Sequence, residues 1–331
     1  MADNLILSLK TVLPMVILTG VGIFLGKIKL FGEAFYAGAD KFVFKVSLPC
    51  MIFLQVAGCE LSEGTSYFRL TLFIVLAIVG FAALYSGISI AAIKQMRQRG
   101  AAVQGMFRSN VAILGTVLME NMFRDGEMKT AALAAYAVVM PFVVLIYNIL
   151  AVSVLAVFMP GEDENGDANR RFGAKDFGRA LLETVKNPLI IAVAAGLPFM
   201  FFGIRLPEIA DKSLGYLSQC TTGLSLISLG AGFSFKSLAG NIKLAAVITA
   251  VKTVFQPAAG VALACLFGFR GAELAVAFII FGTPAAVSSY IMAKNMKSDH
   301  ELAGQVMLLT TIFSVFTLFA GSFILRTLGL I

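Results

Sequence analysis

Two long apolar stretches of this chain are interrupted by the same kinds of residue. Ser109, Asn110, Gly115 and Thr116 break up one, and Gly282, Thr283, Pro284, Ser288 and Ser289 break up the other. Pro284 lacks an amide hydrogen and its ring clashes with the preceding turn, so a helix running through it must open and expose backbone polar groups. Within a bilayer such groups are tolerated only against protein or a water-filled cavity. The N-termini of the resulting half-helices carry partial positive charge and free amides, an arrangement suited to a carboxylate. Asn110, Thr116, Thr283 and Ser288 add side-chain hydrogen bonds, while Gly115, Gly282 and Pro284 shape the breaks. Together they point to a small organic anion bound near the membrane midplane. Close helix packing, which Gly and Ser also permit, is the competing reading of any one position.

Three ionisable residues fall where the bilayer makes them costly, and such residues mark function by default. Lys252 lies about ten residues into its apolar stretch, ~15 Å deep at a rise of 1.5 Å per residue. It can neutralise a bound anion or meet a helix C-terminus; alternatively, its stem snorkels or its ammonium caps interior carbonyls. Asp40 and Asp211 stand near the starts of their helices, where a carboxylate complements the macrodipole; the other reading is a proton or cation relay. Glu120 is expected at an interface, and His300, beside Asp299 and Glu301, in a solvated loop.

The chain carries no HExxH, no G-x-S-x-G, no P-loop and no paired intramembrane aspartates, so an enzyme is not expected, nor a cofactor or a metal. Asp176, Phe177 and Gly178 spell a kinase tripeptide without its companion motifs. Cys50, Cys59, Cys220 and Cys265 all fall in apolar segments without metal or redox spacing and read as packing residues.

The elements that must position these residues follow from composition. The chain is 59% hydrophobic and 14% charged, with a mean hydropathy of +0.89, against about 45–50% and about 25% for soluble domains. The expected class is therefore an all-α polytopic protein of the cell (inner or plasma) membrane, with lipid as its solvent. About ten spans of ~20 residues are expected. They lie near 5–26, 34–59, 68–93, 103–121 and 130–158, then 180–202, 208–234, 241–267, 272–293 and 300–325. Met1, Ala2 and Asp3 run into the first span without a basic leader, which reads as an uncleaved helix. The polar stretch 160–178 is expected to be a cytoplasmic linker between a first five-helix repeat, 1–159, and a second, 179–331.

The net charge of +7 is spread over short loops, not one basic face, so nucleic acid is not an expected partner. Lys and Arg concentrate on one set of alternate loops, among them Lys27, Lys94, Arg97, Arg170, Lys243 and Lys297, which places that side in the cytoplasm and both termini outside. An odd number of spans per half inverts the second half. The two halves also match in order: Pro14 to Gly22 with Pro188 to Gly196, Ala39-Asp40-Lys41 with Ala210-Asp211-Lys212, and Ile113 to Val117 with Ile280 to Pro284. An inverted repeat with its breaks near Gly115 and Pro284 is the expected architecture.

Val12-Leu13-Pro14, Leu48-Pro49, Ser109-Asn110 through Gly115, Lys186-Asn187-Pro188-Leu189, Leu226 to Gly230, and Gly282 to Val287 resemble the auxin efflux carrier family, over nearly the whole chain. The resemblance implies a fold similar to that of bile-acid transporters and proton antiporters. Broken fourth and ninth helices would cross at the substrate site, and helices 1, 2, 6 and 7 would form a scaffold along which the rest moves as an elevator. It implies a secondary active or facilitative carrier of an auxin-like anion or a dicarboxylate such as malate or malonate, and a possible homodimer. The second hypothesis is a sodium- or proton-coupled carrier of another solute, with Asp40 or Asp211 carrying the ion; a channel or sensor is a further alternative. The short linker resembles the bacterial branch. Relatives usually have proline where this chain has Val117, and often asparagine at Ser288.

Overall fold

The computed structural model describes residues 14, 17–58, 67–115, 118–119, 122–123, 126–159, 186–232 and 235–331; the side chains of 112, 113 and 235–241 are left aside. The expected linker 160–178, with its Asp176-Phe177-Gly178, lies outside them, as do Thr116, Val117, Glu120 and Cys59. Among the described residues the regular structure is helical. The helices are α1 (Ile17–Lys27), α2 (Glu33–Phe42), α3 (Leu48–Ala57), α4 (Phe68–Ala92), α5 (Met96–Phe107), α6 (Glu127–Val157) and α7 (Pro188–Phe202). They are followed by α8 (Glu208–Ala231), α9 (Phe235–Ala250), α10 (Gln256–Leu266), α11 (Gly271–Gly282), α12 (Ser288–Asn295) and α13 (His300–Thr327).

Local sequence accounts for the joints. Pro49 and Pro257 cannot donate to the carbonyls four residues back, and each follows a π-helical turn, Val43–Ser47 and Val251–Phe255, that carries the helix past the missing bond. Asn187 caps α7 by accepting from the Leu189 amide at 3.0 Å, with Pro188 at the first position, where its missing hydrogen costs nothing. Asp299 caps α13 through the Leu302 amide at 2.9 Å. His300 is therefore the first residue of α13, half-buried with its ring 6.1 Å from that of Tyr290, and not a solvated loop residue.

Four helices among the described residues are long and apolar enough to cross a membrane: Phe68–Ala92, Glu127–Val157, Ile242–Leu266 and His300–Thr327. The distribution of side chains agrees. Large apolar groups such as Phe24, Leu76, Phe202, Val247, Leu266 and Phe316 face outward, whereas Gln104, Arg108, Asn148, Lys252 and Gln256 are buried. That inversion of the usual pattern is what a lipid solvent selects.

The helices pack as two groups. In one, α1, α2, α3, α7 and α8 pack against each other. Gly22 of α1 and Gly230 of α8 let two backbones touch: a Cβ on Gly230 would sit 2.1 Å from the Thr19 carbonyl oxygen. In the other, α4, α5, α6 and α9 to α13 enclose most of the core. Of the two places at which sequence interrupts the first stretch, Ser109-Asn110 is where regular helix has stopped, at Phe107, and Val111–Gly115 is π-helical. Gly115 has a different reason to be glycine: a Cβ there would lie 2.3 Å from the Tyr136 hydroxyl.

Candidate functional site

The two breaks meet. Arg108 to Asn110 and Thr283 to Val287 leave helical geometry, and Ser109 pairs with Ala285 in an antiparallel bridge. The Asn110 amide donates to the Pro284 carbonyl at 2.8 Å, and the Ala285 amide donates to Thr310 Oγ1 at 3.1 Å. Backbone groups released by the breaks are thus satisfied by each other and by one side chain, as a dry interior requires.

Side chains one turn apart close the carbonyl ends of both half-helices. Gln256 Nε2 donates to the Phe107 carbonyl, at the end of α5, at 3.2 Å. Lys252 Nζ donates to the Phe281 carbonyl, at the end of α11, at 3.3 Å, to Ser109 Oγ at 2.5 Å and to Gln256 Oε1 at 3.3 Å. Tyr147 adds its hydroxyl to Ser109 Oγ at 3.3 Å. A cation is well placed there, because carbonyl ends carry the negative pole of each helix. Of the roles open to Lys252, carbonyl capping is the one its bonds show; the residue is fully buried and is not part of the cavity wall, though its partner Ser109 is.

The cavity, about 50 Å³, lies between the two helix groups. One wall is Met51, Ile52 and Gln55 of α3 with Thr221 and Thr222 of α8; the other is Arg108 to Val111, Val144, Tyr147 and Asn148 with Ala286 to Ser288. Of the residues singled out from sequence, Asn110 and Ser288 line it, the latter opening α12. The Asn110 Nδ2 amide is buried and without a partner among the described residues, so a residue of the cavity wall holds an unused donor. Thr283 is fully buried behind the crossing with its hydroxyl also unpartnered there. Pro284 contributes its carbonyl, and Gly282 and Gly115 are packing positions, tight against Leu318 and Tyr136 respectively.

Asp40 and Asp211 stand elsewhere. Asp40 is buried eight residues into α2 and is ion-paired with Lys294 of α12, so its partner is a side chain and not the amides of a helix start. Asp211 is an exposed first-turn residue of α8, bordering a separate open cavity of about 690 Å³ with Leu54, Gly58 and Arg205.

Sequence reading passed over Arg108. It is 5% exposed, borders the cavity, and donates to Asn148 Oδ1 at 2.8 Å and to Met292 Sδ. An arginine two residues before Asn110, in an interrupted apolar stretch, was the available signal.

A lipid-facing helical body thus encloses a cavity of mixed polar and apolar lining between two packing groups. Residues 7–320 match the family described as membrane transport protein, and the chain belongs to it, the auxin efflux carrier family. An uncharacterized transporter of Methanocaldococcus jannaschii is 23% identical over 96% of this chain and 99% of its own length. The uncharacterized transporter YfdV of Escherichia coli K12 is 19% identical over 86% of each chain. A probable auxin efflux carrier component 5c of rice is 28% identical over 40% of this chain and 38% of its own.

Proposed function

We propose that the chain is a secondary active or facilitative carrier of a small organic anion, auxin-like or a dicarboxylate such as malate or malonate, working by elevator-type alternating access. The observation that carries this reading is the position of the cavity. It lies between two packing groups, where both interrupted helices meet, with the unpartnered Asn110 amide and the first turn of α12 on its wall. A site at such a boundary is exposed to alternate sides when one group slides along the other. Donors without acceptors on that wall favour a ligand rich in acceptors, as a carboxylate is.

The rest of the architecture belongs to the same proposal. It comprises ten spans in two inverted five-helix repeats, 1–159 and 179–331, joined by a cytoplasmic linker at 160–178, with both termini outside. The group formed by α1, α2, α3, α7 and α8 supports the scaffold role expected of helices 1, 2, 6 and 7. Coupling to protons or sodium is the second reading; the Asp40–Lys294 pair, which joins the two groups, supports Asp40 over the exposed Asp211 as the coupling residue.

Uptake of radiolabelled malonate, malate and indole-3-acetate into proteoliposomes under set pH and sodium gradients tests both. Saturable uptake of at least one acid is expected, reduced at least tenfold by Asn110→Ala. No uptake of any acid, with no shift of the melting midpoint by any of them, removes the anion reading.

A further inference from the structure

Arg108 is a full positive charge in the interior of a lipid-facing protein, and its environment does not balance it. Its two side-chain contacts are an amide oxygen, Asn148 Oδ1, and a thioether, Met292 Sδ. Both are neutral, and the thioether is a weak acceptor. Among the described residues no carboxylate meets it. A guanidinium has five N–H groups, and two are engaged. Burying an unpaired charge costs several kcal/mol, so the arrangement is incomplete without an anion. Lys252, the other buried cation, has its three N–H groups on three oxygens, two of them side-chain and one at a helix carbonyl end. Arg108 has no such closure, and it borders the cavity.

The geometry points to Arg108 as the group that binds the carboxylate of the transported anion and sets the requirement for an ionised, planar ligand. We propose this as a deepening of the carrier reading, on which it rests. The guanidinium fork holds both carboxylate oxygens in two parallel bonds, as a planar anion allows. The Asn110 Nδ2 amide, two residues on and unpartnered, supplies a further donor on the same wall. Asn148 and Met292 fix the fork's orientation: Asn148 Nδ2 is itself held by the Val144 carbonyl at 2.8 Å, and Met292 also receives Gln104 Nε2 at 3.6 Å. A ligand of equal shape without charge, such as the primary amide of the same acid, leaves the guanidinium unbalanced and is rejected.

The test uses the full chain in proteoliposomes, with whichever of malonate, malate or indole-3-acetate the wild type takes up. Arg108→Lys keeps the charge and loses the fork; KM is expected to rise at least tenfold with the maximal rate reduced less. Arg108→Gln is expected to raise KM at least a hundredfold or abolish uptake. In the wild type, the amide of the transported acid is expected to compete at least a hundredfold more weakly than the acid. That last arm does not depend on any variant folding. If the amide competes as well as the acid, or if Arg108→Lys and Arg108→Gln keep the wild-type KM while only the maximal rate falls, Arg108 is a packing residue and the proposal is wrong. Wild-type uptake of the acid under those outcomes leaves the carrier reading standing; absence of wild-type uptake removes that reading instead.

Discussion

Replacement of Gly115 by alanine tests the interior of the crossing without touching the cavity wall. The added Cβ would lie 2.3 Å from the Tyr136 hydroxyl and 3.4 Å from the ring carbon that bears it, and that hydroxyl donates to the Val111 carbonyl at 2.8 Å. The clash is thus with one oxygen and not with the ring. Overpacking costs ~1–3 kcal/mol, and loss of the hydrogen bond costs a further ~0.5–1.5 kcal/mol. Removing a helical glycine returns ~0.5–1 kcal/mol. The expected net loss for Gly115→Ala is about 0.5–4 kcal/mol. Tyr136→Phe alone loses the hydrogen bond to the Val111 carbonyl, ~0.5–1.5 kcal/mol. In the double variant the oxygen that clashes is gone and a 3.4 Å contact remains. Its stability should therefore fall within ~1 kcal/mol of wild type, better than Gly115→Ala alone, which is a strongly non-additive cycle. Melting midpoints of the four proteins in one detergent at one scan rate measure it, because such unfolding is commonly irreversible and rate-dependent. Additive losses, or a Gly115→Ala protein as stable as wild type, would refute the assignment of Gly115 to the Tyr136 contact.

Two further outcomes follow from the buried charges. Lys252→Met removes an ammonium whose burial costs several kcal/mol, but strands Gln256 Oε1 and the Phe281 carbonyl at ~1–3 kcal/mol each. The two effects nearly cancel, so the melting midpoint should move by a few degrees while uptake falls at least tenfold; parallel loss of both would make Lys252 purely a fold-holding tie. In the Asp40–Lys294 pair, Asp40 is 4% exposed and Lys294 30%. Lys294→Met leaves a buried carboxylate alone, at about 3 kcal/mol. Asp40→Asn leaves a lysine that reaches solvent and the Tyr290 hydroxyl at 3.4 Å, at about 1 kcal/mol. Equal destabilisation by the two substitutions, read from the same melting midpoints, would contradict the burial difference.

Sequence carried the helical class, the lipid solvent and the pairing of the two interrupted stretches, because hydropathy and Pro284 report directly on backbone cost. Of the interruptions read in the first stretch, the weight of Ser109-Asn110 over Gly115 was not legible. Glycine is a strong signal of a break, yet Gly115 answers to Tyr136, 21 positions away, and no local pattern encodes that contact. The real break at Arg108 to Asn110 has neither glycine nor proline; it is held open by Pro284, Gln256 and Lys252, all distant in sequence. For the same reason the depth of Lys252 was readable but not its partners. Arg108 was readable in principle, as an arginine inside an apolar stretch, but reading the apolar run from residue 103 onward absorbed it into the span. The helix in fact begins at Met96, where Arg99 Nε turns back to the Ile93 carbonyl at 2.7 Å and closes the end of α4.

The bonds at the crossing also say which group it would move with under the proposed elevator motion. Lys252, Gln256, Tyr147 and Thr310 all belong to the group of α4 to α6 and α9 to α13, and all of them hold the two breaks. From the other group the crossing meets the side chains of Met51, Ile52, Gln55, Thr221 and Thr222 across the cavity. Two polar contacts that do cross the boundary, Lys294 with Asp40 and Asn187 Nδ2 with Met296 Sδ at 3.6 Å, lie toward the far end of α12. Lys294 is six residues from Ser288, roughly 9 Å along the helix. The proposed sliding of one group along the other would therefore leave the crossing and its carbonyl caps intact. It would break an ion pair that is partly open to solvent and a weak sulfur contact, and replace one set of cavity-wall neighbours by another. Packed interfaces of this kind switch between discrete arrangements instead of deforming continuously. The anion-binding residues proposed here would then travel as one rigid unit, keeping Arg108 and Asn110 in register with each other while the opposite wall changes.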